Sequence, residues 1–224
     1  MLEQWGDANQ LHFYFENRDR GWAIAAINAA VSFEASGAQR FSEVQQFIQT
    51  SLSQLITSNS IDLPWAIPRF FCSFTFFDHP VQSHPTFAPA TAFLPEWQVM
   101  RWSDRGAILA NLLIQPQSNL EDLAESVWHQ FRSISATQSS LLSFPYQISD
   151  LLKQWYITDT APFQATVASA LLDIQQQRFH KLVLAHAIDV TSRLPFQAER
   201  SLHNLRQRYP DCYVFSAGNG KGQS

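Results

Sequence analysis

The sequence predicts an α+β fold of layered, largely antiparallel β-sheets flanked by helices. Three observations predict it. Strand-like runs outnumber helical ones, neighbouring strand runs are separated by links of hairpin length, and there is no internal repeat. Apolar residues are plentiful: 46% of the 224 residues are hydrophobic, with 18 Phe and 7 Trp, enough for a sizeable core.

In chain order, LHFYFENRD (residues 11–19) reads as a strand ending in a polar turn. WAIAAINAAVSFEAS, from Trp22, is apolar and rich in small residues, and periodicity alone leaves strand and helix both open. FSEVQQFIQTSLSQLI reads as a helix. Val44, Phe47, Ile48, Ser51, Leu52, Leu55 and Ile56 share one face, and Ser42 with Gln45 has capping-box spacing. Phe70–Phe77 reads as a strand with aromatics at both parities, and is expected to be covered on both faces. Residues 80–95 hold four prolines and read as a loop. EWQVMRW and AILANLLIQ, on either side of SDRG, form a hairpin.

SNLEDLAESVWHQFRSI is a second helix, with Asn119 as N-cap and acids in its first turn. Its apolar face is Leu120, Leu123, Val127, Phe131 and Ile134. The Ser/Gln-rich SISATQSSLLSFPYQ reads as an internal loop, since apolar residues resume at once. A helix near 162–178 follows, with Phe163, Val167, Ala170, Leu171 and Ile174 in sequence, then a strand over FHKLVLAHAIDV (179–190). A helix near 197–208, closed by Pro210, leads to the final strand CYVFSAGNG. Asn219-Gly220 predicts a type I′ turn, which needs φ > 0 at both central residues.

The formal charge of −4 and pI near 5.9 leave no basic stripe, which argues against a nucleic-acid partner. Cys72 and Cys212 lie far apart in apolar runs and read as buried free thiols, the pattern of a cytosolic protein. No uncharged apolar stretch reaches the roughly 18 residues of a membrane span, and the polar MLEQWGDANQ is no secretory signal. The expected setting is cytoplasmic, without a membrane partner.

Most motifs resolve to structural roles. SAGNGKG lacks the G-x-x-x-x-G-K-[ST] spacing of a phosphate loop. His79 with His84, and His180 with His186, lack the i, i+4 spacing or cysteine company of a metal site, and His186 reads as a core histidine. No G-x-S-x-G, H-E-x-x-H or C-x-x-C occurs. Glu121, Asp122 and Glu125 suit the start of a helix. Lys181, at the threshold of an apolar strand, is on spacing alone a lysine that snorkels into water. A catalytic reading requires a lysine that is neutral at working pH, through burial or a nearby cation, and so able to take a proton from water.

FHKLVLAHAIDV resembles the K-(V/L)-V-L-(A/S)-R segment of the chorismate-utilising enzymes, in particular isochorismate synthases. PFQAERSLHNLRQRYPDCYVFSAGNGKGQS resembles their helix, strand and hairpin leading to an S-P-E-R motif, and LHFYFENRD, PRFFCSFTFFD and FLPEWQVMR resemble three landmarks of the N-terminal half. The resemblance implies that residues 1–224 are the N-terminal part of a single chorismate-utilising domain whose C-terminal half is absent. It implies Mg²⁺-dependent conversion of chorismate to isochorismate for menaquinone or phylloquinone synthesis, with Lys181 as the general base that activates water. Ring C2 takes up the water while the C4 hydroxyl leaves, and a base and an acid of separated pKa suit that chemistry. The acid and the Mg²⁺ ligands are expected in the absent half, so the chain alone is expected to be inactive, its apolar surface covered by that half or by a partner.

Anthranilate synthases typically lack this lysine, whereas salicylate synthases share it and stay open as an alternative, as does a non-catalytic paralogue serving as an interaction module. Three positions depart from the pattern: His186 stands where the family usually has Arg, Cys72-Ser73 where small residues are common, and Asn28 where Gly is frequent.

Overall fold

The computed structural model describes residues 11–57, 63–79, 87–136, 155–157, 161–188, 190–192 and 198–221. The chain divides into two compact units, one comprising Met1–Gln138 with Ala198–Ser224, the other Ser139–Gln197. The SISATQSSLLSFPYQ loop lies largely outside the described residues, as does His84.

The first unit is built on a five-stranded antiparallel sheet of β1 (Leu11–Asn17), β2 (Trp22–Ile27), β6 (Trp97–Trp102), β7 (Arg105–Ala110) and β10 (Tyr213–Asn219), in the order β10-β1-β2-β6-β7. A second sheet joins β3 (Val31–Ala35), β4 (Phe71–Phe74) and β5 (Ala90–Leu94) in the order β3-β5-β4. Helices α1 (Arg40–Ser53), α2 (Leu120–Ala136) and α4 (Ala198–Arg208) also belong to this unit. The α+β class and antiparallel pairing are as the sequence predicts.

Alternation sorts the strands into layers. Ile24, Ala26 and Met100 of the large sheet meet Phe71 and Phe93 of the small one in a common core, with the Phe13 ring tilted against Phe71 at a centroid distance of 4.9 Å. Each large side chain buried there contributes about 1.5–3 kcal/mol. On the small sheet's other face, Ala90 and Ala92 leave room for α1, which seats Val44, Phe47 and Ile48 against them. The large sheet's other face carries His12, Tyr14 and Glu16 opposite Gly218, Ser216 and Val214.

The ambiguous WAIAAINAAVSFEAS is two strands broken at Asn28, whose φ of 55° turns the chain from one sheet to the other. Glycine and asparagine share tolerance of that conformation, so Asn28 can stand where the resembled family has glycine. Its amide also bonds Glu96 Oε2 at 3.1 Å.

The 97–110 hairpin forms with a tighter link than the expected SDRG tetrapeptide, Trp102 pairing with Arg105 across Ser103-Asp104. Ser103 N donates to Gly21 O at 2.7 Å; at Gly21, φ 63°, a Cβ would lie 3.3 Å from Ser103 Cα, so the Ser103 backbone would have to give way slightly.

Several expectations are corrected. The 80–95 loop contains β5, the central strand of its sheet; Pro89 and Pro95 flank that strand and so cost it no ladder hydrogen bond. β4 is buried only at Phe71, and Phe76 beyond it is 90% exposed, so the aromatic run is not covered on both faces. Helix α1 starts before Ser42, with Gln39 at the N-cap position and no side-chain cap. It stops at Ser53, leaving Ile56 94% exposed. Asn219 pairs with Leu11 at the end of β10, and only Gly220 has positive φ, so the turn is not type I′. The Asn219 side chain instead accepts from Lys221 N at 2.8 Å. Cys72 and Cys212 are free, as expected, but exposed rather than buried; partial covering of the Cys72 thiol raises its pKa.

The second unit contains helix α3 (Ala161–Gln175) and a two-stranded pair, β8 (Trp155–Ile157) with β9 (Val190–Ser192). The strand expected over 179–190 is present only at its end, in β9. Lys181–Ile188 carries no regular structure, because no described strand pairs with it.

Candidate functional site

Lys181 lies between α3 and β9 in the second unit. After α3 the chain turns at Gln177, with φ 58°, and Arg178 closes back on Asp173 with a 3.0 Å ion pair. Lys181 is exposed, and no described residue hydrogen-bonds or ion-pairs with its ammonium. The apolar residues around it are exposed too: Phe179, Leu182, Ile188 and, at 80%, Val183. His186, expected in the core, is exposed and stacks on Phe163 with ring centroids 4.8 Å apart. A core histidine needs a covered strand, and no such strand forms over 181–188.

The large sheet of the first unit holds a charged cluster that the sequence did not announce. Glu16 is 1% exposed on β1. Arg206 of α4 grips its carboxylate with two donors, Nε at 2.8 Å and Nη2 at 3.1 Å. Arg101 of β6 adds Nη2 at 2.8 Å, and Tyr14 donates its hydroxyl at 2.6 Å. Burial and the Glu16 hydrogen bond push the Tyr14 phenol well above its usual 10.0. One buried anion thus ties two strands to a helix, with partners 85 and 190 residues away in sequence. The only hint in the sequence is His12, Tyr14 and Glu16 at alternate positions, which reads as a solvent face until α4 covers it.

The start of α2 forms at Asn119, as the sequence predicts. Asn119 Oδ1 accepts from Glu121 N at 3.0 Å, so Asn119 caps α2 and the acids of its first turn face solvent. Among the described residues no group of three or more His, Cys, Asp and Glu side chains could hold a metal ion, so these residues do not fit a Mg²⁺ centre. Nor is any helix among them long and apolar enough to cross a membrane.

A family model described as chorismate binding enzyme matches the chain over residues 1–224. No curated protein matches it.

Proposed function

The chain belongs to the chorismate binding enzymes, and from that premise we propose that it is part of an isochorismate synthase in which Lys181 is the general base. The observation that carries the finer reading is the lysine heading KLVLAHAIDV, on the pattern that isochorismate synthases share. A lysine here suits the branch of the family that delivers water, because a water nucleophile must lose a proton as it attacks.

The step balances as an isomerisation. The water oxygen bonds to ring C2 while its proton passes to Lys181 Nζ; the double bonds shift, and the C4 hydroxyl departs with a proton from a general acid. That acid, and the carboxylates that would hold Mg²⁺, belong by resemblance to sequence after the turn at Asn219-Gly220. No step is assigned to the metal through the described residues, which do not fit it. We assign the product to menaquinone or phylloquinone synthesis and the enzyme to the cytoplasm. An exposed Lys181 implies that its segment is covered when the site is complete, since a lysine base works desolvated or beside another cation.

Salicylate synthesis is the runner-up within the family, because those enzymes share the lysine. The exposed run Leu112, Leu113 and Ile114 favours a third reading, an interaction module whose partner covers apolar surface.

One experiment sorts the three: chromatography of products after chorismate and Mg²⁺ are incubated with protein from the uninterrupted reading frame, beside its Lys181→Ala variant and a chelator control. Isochorismate from the parent and almost none from the variant is the expected result. Salicylate changes the branch, and untouched chorismate overturns the catalytic reading.

A further inference from the structure

Six of the twelve arginines in this chain gather at one end of the five-stranded sheet. Arg18 and Arg20 lie on the link from β1 to β2, Arg101 and Arg105 flank the link from β6 to β7, and Arg206 and Arg208 close α4 before the link into β10. Register brings the three pairs level. Asn17 lies opposite both Tyr213 and Trp22, Trp22 opposite Trp102, and Trp102 opposite Arg105. The links are also tied to one another: Ser103 N donates to Gly21 O at 2.7 Å and Asp19 N to Pro210 O at 3.2 Å. Asn17, 2% exposed, adds a bond from Nδ2 to Asp211 O at 3.0 Å.

Charge at this end has the opposite sign to the rest of the chain. Glu16, Asp19, Asp104 and Asp211 offset four of the six arginines, a formal surplus of two in a chain of −4, so the remainder carries −6. Glu16 already occupies Arg101 and Arg206. Arg18, Arg20, Arg105 and Arg208 are exposed, and no described residue ion-pairs with them. Arg20 sits 5.6 Å from the ring centroid of Tyr213, and Arg208 5.8 Å from that of Tyr209. Both tyrosines and Trp102 are half exposed. Arginine with tyrosine and tryptophan is the composition of binding hot spots.

The mixture of charges selects the kind of partner. A nucleic acid would bring phosphates against three aspartates set among the arginines, which repels them. An acidic protein segment spaces its carboxylates along the chain, and its amides can donate to those aspartates. Five strand ends about 4.8 Å apart span roughly 20 Å, the length of about six residues of extended chain.

We propose that this end of the sheet is a docking surface for an acidic, extended segment of a partner protein, held by Arg18, Arg20, Arg105 and Arg208. The surface does not depend on the reaction assigned to Lys181.

Fluorescence anisotropy of a labelled poly-glutamate peptide, titrated with the full chain at low and at physiological salt, tests it. A chain of −4 without such a surface repels that probe. The parent should bind it, with an affinity that falls as salt rises. Arg18→Ser, Arg20→Ser, Arg105→Ser and Arg208→Ser combined should weaken binding about tenfold or more, what four exposed ion pairs supply together. Lys221→Glu, which alters charge at the opposite end of β10, should change it by less than about twofold. No binding by the parent overturns the surface, and so does an equal loss in Lys221→Glu. A mixed-sequence single-stranded oligonucleotide that binds more tightly than the peptide, and is lost with the same four substitutions, overturns it in favour of a nucleic acid. If the fourfold variant fails to fold, Arg18→Ser with Arg105→Ser carries the test, since their side chains make no described contact. A loss of about threefold is then expected, and an unchanged affinity overturns the surface.

Discussion

Glu16 and Lys181 each break the apolar pattern of a strand-like run, yet their surroundings are opposite. Glu16 is enclosed, with donors from β1, β6 and α4 occupying both carboxylate oxygens. Lys181 lies in solvent, with exposed apolar residues such as Leu182 and Val183 beside it. The contrast teaches that a motif and a structural role are read from different sources. Lys181 stands out because its neighbours in sequence match a pattern, whereas Glu16 stands out only once residues far along the chain converge on it.

The largest effect that would break the contrast is at Lys181. In the reading-frame protein, Lys181→Ala should lower isochorismate formation by about 100- to 10,000-fold. It should move the unfolding free energy by no more than about 0.5 kcal/mol, since the side chain is exposed. A stability loss well above that would mean that Lys181 has a packing role and is not the opposite of Glu16.

Glu16→Gln should show the reverse pattern, losing about 2 kcal/mol in denaturant unfolding because two guanidiniums lose their shared anion, with their partial exposure tempering the cost. No change would place Glu16 among the weak surface pairs.

Gly21→Ala sharpens the comparison from the backbone side. Positive φ and the 3.3 Å approach to Ser103 Cα should cost about 1–2 kcal/mol, read as a lowered melting temperature.

The smallest effect is the pH dependence of the cluster. The raised Tyr14 pKa means that the folded state keeps a proton the unfolded chain gives up above pH 10.0. The contribution is therefore fully present below that pH and falls as pH rises toward the folded value. Tyr14→Phe should remove this alkaline loss while costing about 1 kcal/mol at neutral pH, where the bond to Glu16 is gone. An identical alkaline profile in the variant would show that Tyr14 is not the group responsible.

Much of the architecture was legible in local order. The apolar run LHFYF ending in a polar turn marked β1, the link between EWQVMRW and AILANLLIQ marked a hairpin, and Asn119 with its acids marked the start of α2. These signals work because the cause sits within a few residues: a pleat has period two, and a cap bonds a neighbouring amide. β5 was missed because prolines at both its ends look like loop chemistry, and nothing local shows that they only bracket a central strand. The extent of β4 and α1 was overestimated for the related reason that apolar content does not say how much of it finds a covering partner.

The sequence by itself determined the antiparallel α+β class and the KLVLAHAIDV segment that singles out Lys181. These are encoded in steric preference, periodicity and side-chain order along a short stretch. Only the tertiary structure decided that Glu16 is a buried anion and that Arg101 of β6 and Arg206 of α4 meet on it. It also decided that the run around Lys181 stays unpaired among the described residues. The physical reason is common to all of these: burial and charge pairing are properties of surroundings, and the surroundings come from segments that sequence order keeps far apart.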